Sequence, residues 1–225
     1  MSIALQIQQT SVQHSRIDYI DIAKGIGILL VVMGHNDFSL LSPFLFKLIY
    51  SFHMPMFFFM SGIFFKPDMA FLPLLRRRFD SVLRPYIFII LLIFFATLSF
   101  TKVDFAHSTT RLVKALYGNG HYLDWVQLWF LPHLFVVSLF AFLFFRLVRR
   151  SGLPWLKWVL LVVVQVVGVL GISAFWPFTI NIFGRQLTVF GLPFSLDLVF
   201  ISGFFFILGY ELFQNFPLAI FKRSQ

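Results

Sequence analysis

Residues 44–65 read FLFKLIYSFHMPMFFFMSGIFF, a run of 22 residues that carries one charge, Lys47. A bilayer's hydrocarbon core, about 30 Å thick, is crossed by a helix of about 20 mostly apolar residues. A helix on a soluble surface keeps one polar face, and this run has none. It therefore reads as a membrane span. Working outward, five further stretches have the same character, giving six spans at about 20–40, 44–65, 85–101, 126–147, 156–176 and 194–213. The expected fold class is all-α, a polytopic transmembrane helix bundle. Residues 177–193, with Pro177, Gly184, Gly191 and Pro193, read as a loop with a possible re-entrant piece.

Composition supports this reading. Of 225 residues 59% are hydrophobic and 12% charged, and 34 are phenylalanine. Mean hydropathy is +0.88. A soluble domain carries about 25% charged residues, so this chain lacks the polar groups to cover a soluble surface. It has no cysteine, which excludes disulfides, thiolate metal sites and a cysteine nucleophile. The histidines do not stand at i, i+3 or i, i+4 spacing, so no metal is expected. The net charge of +9 points to topology rather than to nucleic acid. With the N-terminus placed in the cytoplasm, 13 Lys and Arg fall on the cytoplasmic side and 5 on the other, as the positive-inside rule requires. Six spans return the C-terminus to the same side. Residues 1–15 form a polar tail without the pattern of a secretory signal, and residues 16–225 form one membrane domain.

Ionisable groups within a span are costly and mark function by default. The first span carries Asp21, Lys24 and His35. Asp21 and His35 fall within about 40° of one helix face but about 21 Å apart along the axis, too far for one to orient the other. Gly27 and Gly34 make a small-residue stripe that admits a neighbouring helix. In the second span Pro55 removes a helix hydrogen bond beside His53. Two histidines, each with an ordinary pKa near 6.5, form a candidate proton-handling pair, with backbone-bonded structural histidines as the plainer alternative. After the second span, Arg76, Arg77, Arg78 and Arg84 are expected on a cytoplasmic loop. Anchoring to anionic lipid explains each singly; as a cluster they suit phosphates.

These residues carry a family resemblance. Arg16-Ile17-Asp18-Tyr19-Ile20-Asp21-Ile22-Ala23-Lys24-Gly25, running on to Gly34-His35, resembles the opening of the acyltransferase 3 family. Ser51-Phe52-His53-Met54-Pro55 through Ser61-Gly62 is similar to the second-helix signature of its fucose O-acetylase-like branch. Leu128-Trp129-Phe130-Leu131-Pro132-His133-Leu134 is similar to a later Trp-Phe-Leu motif. Leu192-Pro193-Phe194-Ser195-Leu196-Asp197, followed by Gly209-Tyr210, resembles a further segment.

The resemblance implies a membrane O-acyltransferase that takes acetyl from acetyl-CoA and places it on a carbohydrate or a lipid-linked sugar, in a bacterial cytoplasmic membrane. It implies His35 as the catalytic residue; with Asp21 too far along the helix, His53 is the better candidate for its partner. Arg77, Arg78 and Arg84 are expected at the donor. The family's paired-arginine motif is met by Arg78, while Ser81 stands at the second position and Arg84 lies one turn further on. Arg16, Asp21, Lys24, Trp129 and Asp197 are expected in support. Family members usually have more spans than the six read here. Two alternatives remain at this point: a non-catalytic or truncated membrane protein of the same family, and a proton-coupled transporter, which would show inverted repeats that the sequence does not display.

Overall fold

The computed structural model describes residues 18–35, 42–182 and 184–215. Arg16 and the cationic tail residues Lys222 and Arg223 lie outside them. The described chain is helical apart from one hairpin. In order it runs α1 (Asp18–Gly34), α2 (Pro43–Ile63), α3 (Phe71–Arg78), a π-turn (Phe79–Leu83), α4 (Arg84–Phe100) and α5 (Phe105–Tyr117). It continues with α6 (Phe130–Ser151), α7 (Leu156–Phe175), β1 (Phe178–Ile182), β2 (Arg185–Val189) and α8 (Val199–Asn215). Five helical stretches among the described residues are long and apolar enough to cross a membrane: Pro43–Ile63, Phe71–Phe100, Val126–Ser151, Leu156–Ala174 and Pro193–Asn215. α1 has 17 apolar-rich residues and ends where the description is interrupted. This is an all-α, multi-pass integral membrane protein.

The chain divides into two units, residues 1–60 and 61–225. In the first, α1 lies on α2. A Cβ placed on Gly27 would stand 2.5 Å from the end of Met56, and one on Gly34 would stand 3.0 Å from the Tyr50 ring. The small-residue stripe therefore faces α2, as its spacing predicted.

The second unit is a bundle centred on α6, which touches α3, the π-turn, α7 and α8. Val137 and Ala141 of α6 and Phe206 of α8 have no exposed surface. The last turn of α2 also belongs here: a Cβ on Gly62 would stand 1.8 Å from the carbonyl oxygen of Phe206. One end of the bundle is tied by polar contacts. Arg149 pairs with Asp68 and donates to the Pro67 carbonyl, and Lys157 meets the buried Glu211 at 2.5 Å.

Two expectations are corrected, and a helix outside the expected spans is added. First, the arginine cluster is not on a loop. α3, the π-turn and α4 form one helical stretch of 30 residues, Phe71–Phe100. Pro73 sits in its first turn, where amides have no helical partner in any case. Pro85 lacks a donor, and the widened turn just before it, in which the Arg84 amide bonds the Phe79 carbonyl, lets the helix pass. Second, residues 178–189 form an antiparallel hairpin, from Phe178 opposite Val189 to Ile182 opposite Arg185, rather than a loop or re-entrant piece. β-branched residues in both strands (Thr179, Ile180, Ile182, Thr188 and Val189) and Gly184 between them, at φ 76°, suit a hairpin. The segment between the third and fourth expected spans contains α5, an amphipathic helix packed on α4. Tyr86 of α4, 1% exposed, donates to the Ala115 carbonyl of α5.

Candidate functional site

Polar side chains gather at three places. The first lies within unit 1, where α1 ends. His35 follows Gly34, its amide held by the Val31 carbonyl at 3.1 Å. The Tyr50 hydroxyl stands 3.1 Å from His35 Nδ1 and 3.4 Å from the Gly34 carbonyl. On the other side of Tyr50, one helical turn along α2, His53 meets its ring edge-on at a centroid distance of 5.0 Å. His53 is buried, and its Nδ1 lies 2.6 Å from the Ile49 carbonyl. A carbonyl only accepts, so Nδ1 carries the hydrogen and the neutral ring keeps its lone pair on Nε2. The structure thus brings His35 and His53 to one phenol. α2 continues through Pro55. Asp21 is not part of this cluster: it pairs with Lys24 at 3.3 Å, one turn away and partly exposed.

The second place is the arginine-bearing helix of unit 2. Arg78 is half-buried and its guanidinium lies over the rings of Phe65 (5.7 Å) and Phe206 (6.0 Å). Among the described residues no carboxylate is paired with it. Arg84 points elsewhere, largely exposed and 3.8 Å from Asp80. Arg77 is exposed. The three expected donor residues are therefore not alike, and Arg78 is the one set in a pocket-like aromatic frame.

The third place is the junction of α6 and α8. His133, fully buried, donates from Nδ1 to the Phe194 carbonyl at 2.9 Å, and its Nε2 lies 2.7 Å from Ser202 Oγ. Trp129 lies one turn before it, ring centroids 5.2 Å apart. Phe194 and Ser195 both hold left-handed backbone, at φ 54° and 53°. Such a conformation costs about 1–2 kcal/mol per residue, so the His133 bond helps to fix a strained turn. Asp197 closes the same turn by accepting the Leu192 amide at 2.7 Å. Tyr117 of α5 donates to the Gly191 carbonyl at 2.9 Å. Its hydroxyl is pushed up from its ordinary pKa by burial, then by Tyr122 and Asp197, and so stays a donor.

Tyr50 and His133 were not singled out by the sequence reading. Tyr50 carried a signal, its i, i+3 spacing to His53. His133 carried another, a histidine inside a span.

The acyltransferase domain of the acyltransferase 3 family matches residues 17–225. The chain belongs to that family, a class of membrane acyltransferases. No curated protein and no solved structure matches it.

Proposed function

We propose that the chain transfers an acetyl group from acetyl-CoA to a hydroxyl of a carbohydrate or lipid-linked sugar, in a bacterial cytoplasmic membrane. The observation that carries this reading is the His35–Tyr50–His53 cluster. A histidine base takes the acceptor hydroxyl's proton as that oxygen attacks the thioester carbonyl. The C–O ester bond forms, the C–S bond breaks, and coenzyme A leaves as a thiol with the proton. Such a base contributes typically 10²–10⁴-fold. His35, exposed at the end of α1, is the group an acceptor reaches. Tyr50 holds it, and His53, fixed on Ile49, presents Nε2 as the next proton site.

Arg78 suits the donor. A guanidinium framed by aromatic rings, with no carboxylate paired to it among the described residues, is ready for an anion, and arginine grips phosphate with paired donors. Coenzyme A carries several phosphates.

The test is label transfer from radiolabelled acetyl-CoA in membranes containing the chain, wild type beside His35→Ala at equal abundance. Label on a glycan or lipid, lost by at least about a hundredfold in the variant, is the expected result. Equal label in both would remove His35 from the chemistry, and no label in either, with acceptors present, would favour a non-catalytic member of the family.

A further inference from the structure

An apolar cleft lies between α4 and α5 in unit 2, with about 490 Å³ of empty space, part of it open to the outside. Ile90 and Phe94 of α4 and Leu112 of α5 line it. Ser108, 2% exposed, also lines it, and among the described residues its hydroxyl has no hydrogen-bond partner. That is unusual on this helix. Thr109 and Thr110 both donate back to the carbonyl four residues earlier, at 2.8 and 2.9 Å. Leaving a buried hydroxyl unpaired costs about 1–3 kcal/mol.

Beside the cleft lies a polar pocket with about 860 Å³ of empty space, part of it open to the outside. Arg111, Tyr122, Leu123 and Asp124 line both. Arg111 pairs with Asp124 at 2.6 Å. Lys114, exposed on the same face of α5, makes no ion pair among the described residues. The pocket therefore keeps a surplus positive charge.

We propose that this paired cleft and pocket bind an anionic glycerophospholipid. One acyl chain lies between α4 and α5, its ester carbonyl accepts from Ser108, and its phosphate meets Arg111 and Lys114. Ser108 and Arg111 are one turn apart, about 4.5 Å along the axis, a separation that a glycerol ester and its phosphate cover. An isoprenoid chain has no acceptor to give Ser108, and free phosphate has nothing to put in the apolar cleft. Charge selects the headgroup and the serine selects the ester. The site needs no acyl-transfer chemistry, so it stands or falls apart from the proposed activity.

The test is native mass spectrometry of the full chain in mild detergent, titrated with phosphatidylglycerol, phosphatidylcholine, an isoprenoid phosphate and inorganic phosphate. The expected result is one phosphatidylglycerol held about tenfold more tightly than phosphatidylcholine, whose ester and phosphate can make the same contacts but whose choline cation meets the pocket's surplus positive charge. Lys114→Gln reduces the ratio. Ser108→Leu, which fills the cleft, removes binding, and Ser108→Ala, which spares the packing, weakens it several-fold. Ser108→Ala guards against a Ser108→Leu chain that does not fold. Equal binding of the two phospholipids would overturn the proposal, as would undiminished binding by Ser108→Ala. Displacement of the lipid by inorganic phosphate, or preference for the isoprenoid phosphate, would overturn the assignment to a glycerolipid.

Discussion

The Tyr50 hydroxyl meets His35 Nδ1 at 3.1 Å, joining the end of α1 to the middle of α2. Gly34 permits it: a Cβ there would stand 3.0 Å from the Tyr50 ring. The same hydroxyl also reaches the Gly34 carbonyl at 3.4 Å. A phenol donates one hydrogen and accepts others. It can therefore donate to a neutral His35 or to the carbonyl, and when His35 is protonated it can accept from the ring. That makes Tyr50 a positioning residue for either state of the histidine.

Tyr50→Phe keeps the ring and removes this choice. The expected result is a fall in acetyl transfer of about two- to tenfold, from the loss of a hydrogen bond worth about 0.5–1.5 kcal/mol, with membrane abundance unchanged. Combined with His35→Ala it should add almost nothing, because residues that act as a unit are not additive. A double variant whose loss equals the product of the two single losses would sink the coupling.

Arg78 and Arg84 give opposite expectations. Arg78→Met removes the guanidinium framed by Phe65 and Phe206, and the KM for acetyl-CoA should rise about tenfold or more, the scale of one charge-assisted hydrogen bond. Arg84→Ala removes an exposed side chain loosely paired with Asp80, and an exposed pair contributes about 1 kcal/mol or less. Its KM should stay within about twofold. Steady-state rates against acetyl-CoA concentration decide, and the reverse ranking would move the donor seat to Arg84.

The spans were legible because lipid makes one simple demand, a long apolar run. Residues 44–65 meet it, and α2 covers Pro43–Ile63. The helix ahead of the third span was hidden because Arg76, Arg77, Arg78 and Arg84 break the hydropathy while leaving helix propensity intact. The π-turn depends on how the backbone relaxes around Pro85, which no residue pattern announces. For the site, His35 and His53 stood out as histidines in apolar runs. The tie between them did not, because it depends on which face of α1 packs on α2, and tyrosine in a span is ordinary.

Gly62 and Gly25 test helix packing by contrast. Gly62→Ala would drive a methyl toward the Phe206 carbonyl, 1.8 Å away, where backbone must move. Overpacking of this kind costs about 1–3 kcal/mol or more, and the thermal midpoint in detergent should fall or the protein fail to accumulate. Among the described residues, a Cβ on Gly25 would meet nothing within 4 Å beyond its chain neighbours and its own helix backbone. In mid-helix, Gly25→Ala should be neutral or stabilising by about 0.5–1 kcal/mol. Similar midpoints for the two variants would contradict the close approach of α2's last turn to α8.

His133 should matter more to stability than its partner does. Replacing it with alanine takes the imidazole from the Phe194 carbonyl, and an unpaired buried group costs about 1–3 kcal/mol, while Ser202 Oγ keeps its bond to the Leu198 carbonyl. It also frees the left-handed turn at Phe194 and Ser195. Ser202→Ala removes the hydroxyl's contacts with His133 Nε2, at 2.7 Å, and with the Leu198 carbonyl, at 2.8 Å, but leaves the bond from His133 to Phe194 that holds the turn. The midpoint in detergent should therefore drop further for His133→Ala than for Ser202→Ala. Protease cleavage within 190–198 should rise for His133→Ala alone, because only that variant releases the strained turn. If Ser202→Ala proved the more damaging, the hydroxyl rather than the imidazole would be holding the turn, and the ordering of these two residues would have to be reversed.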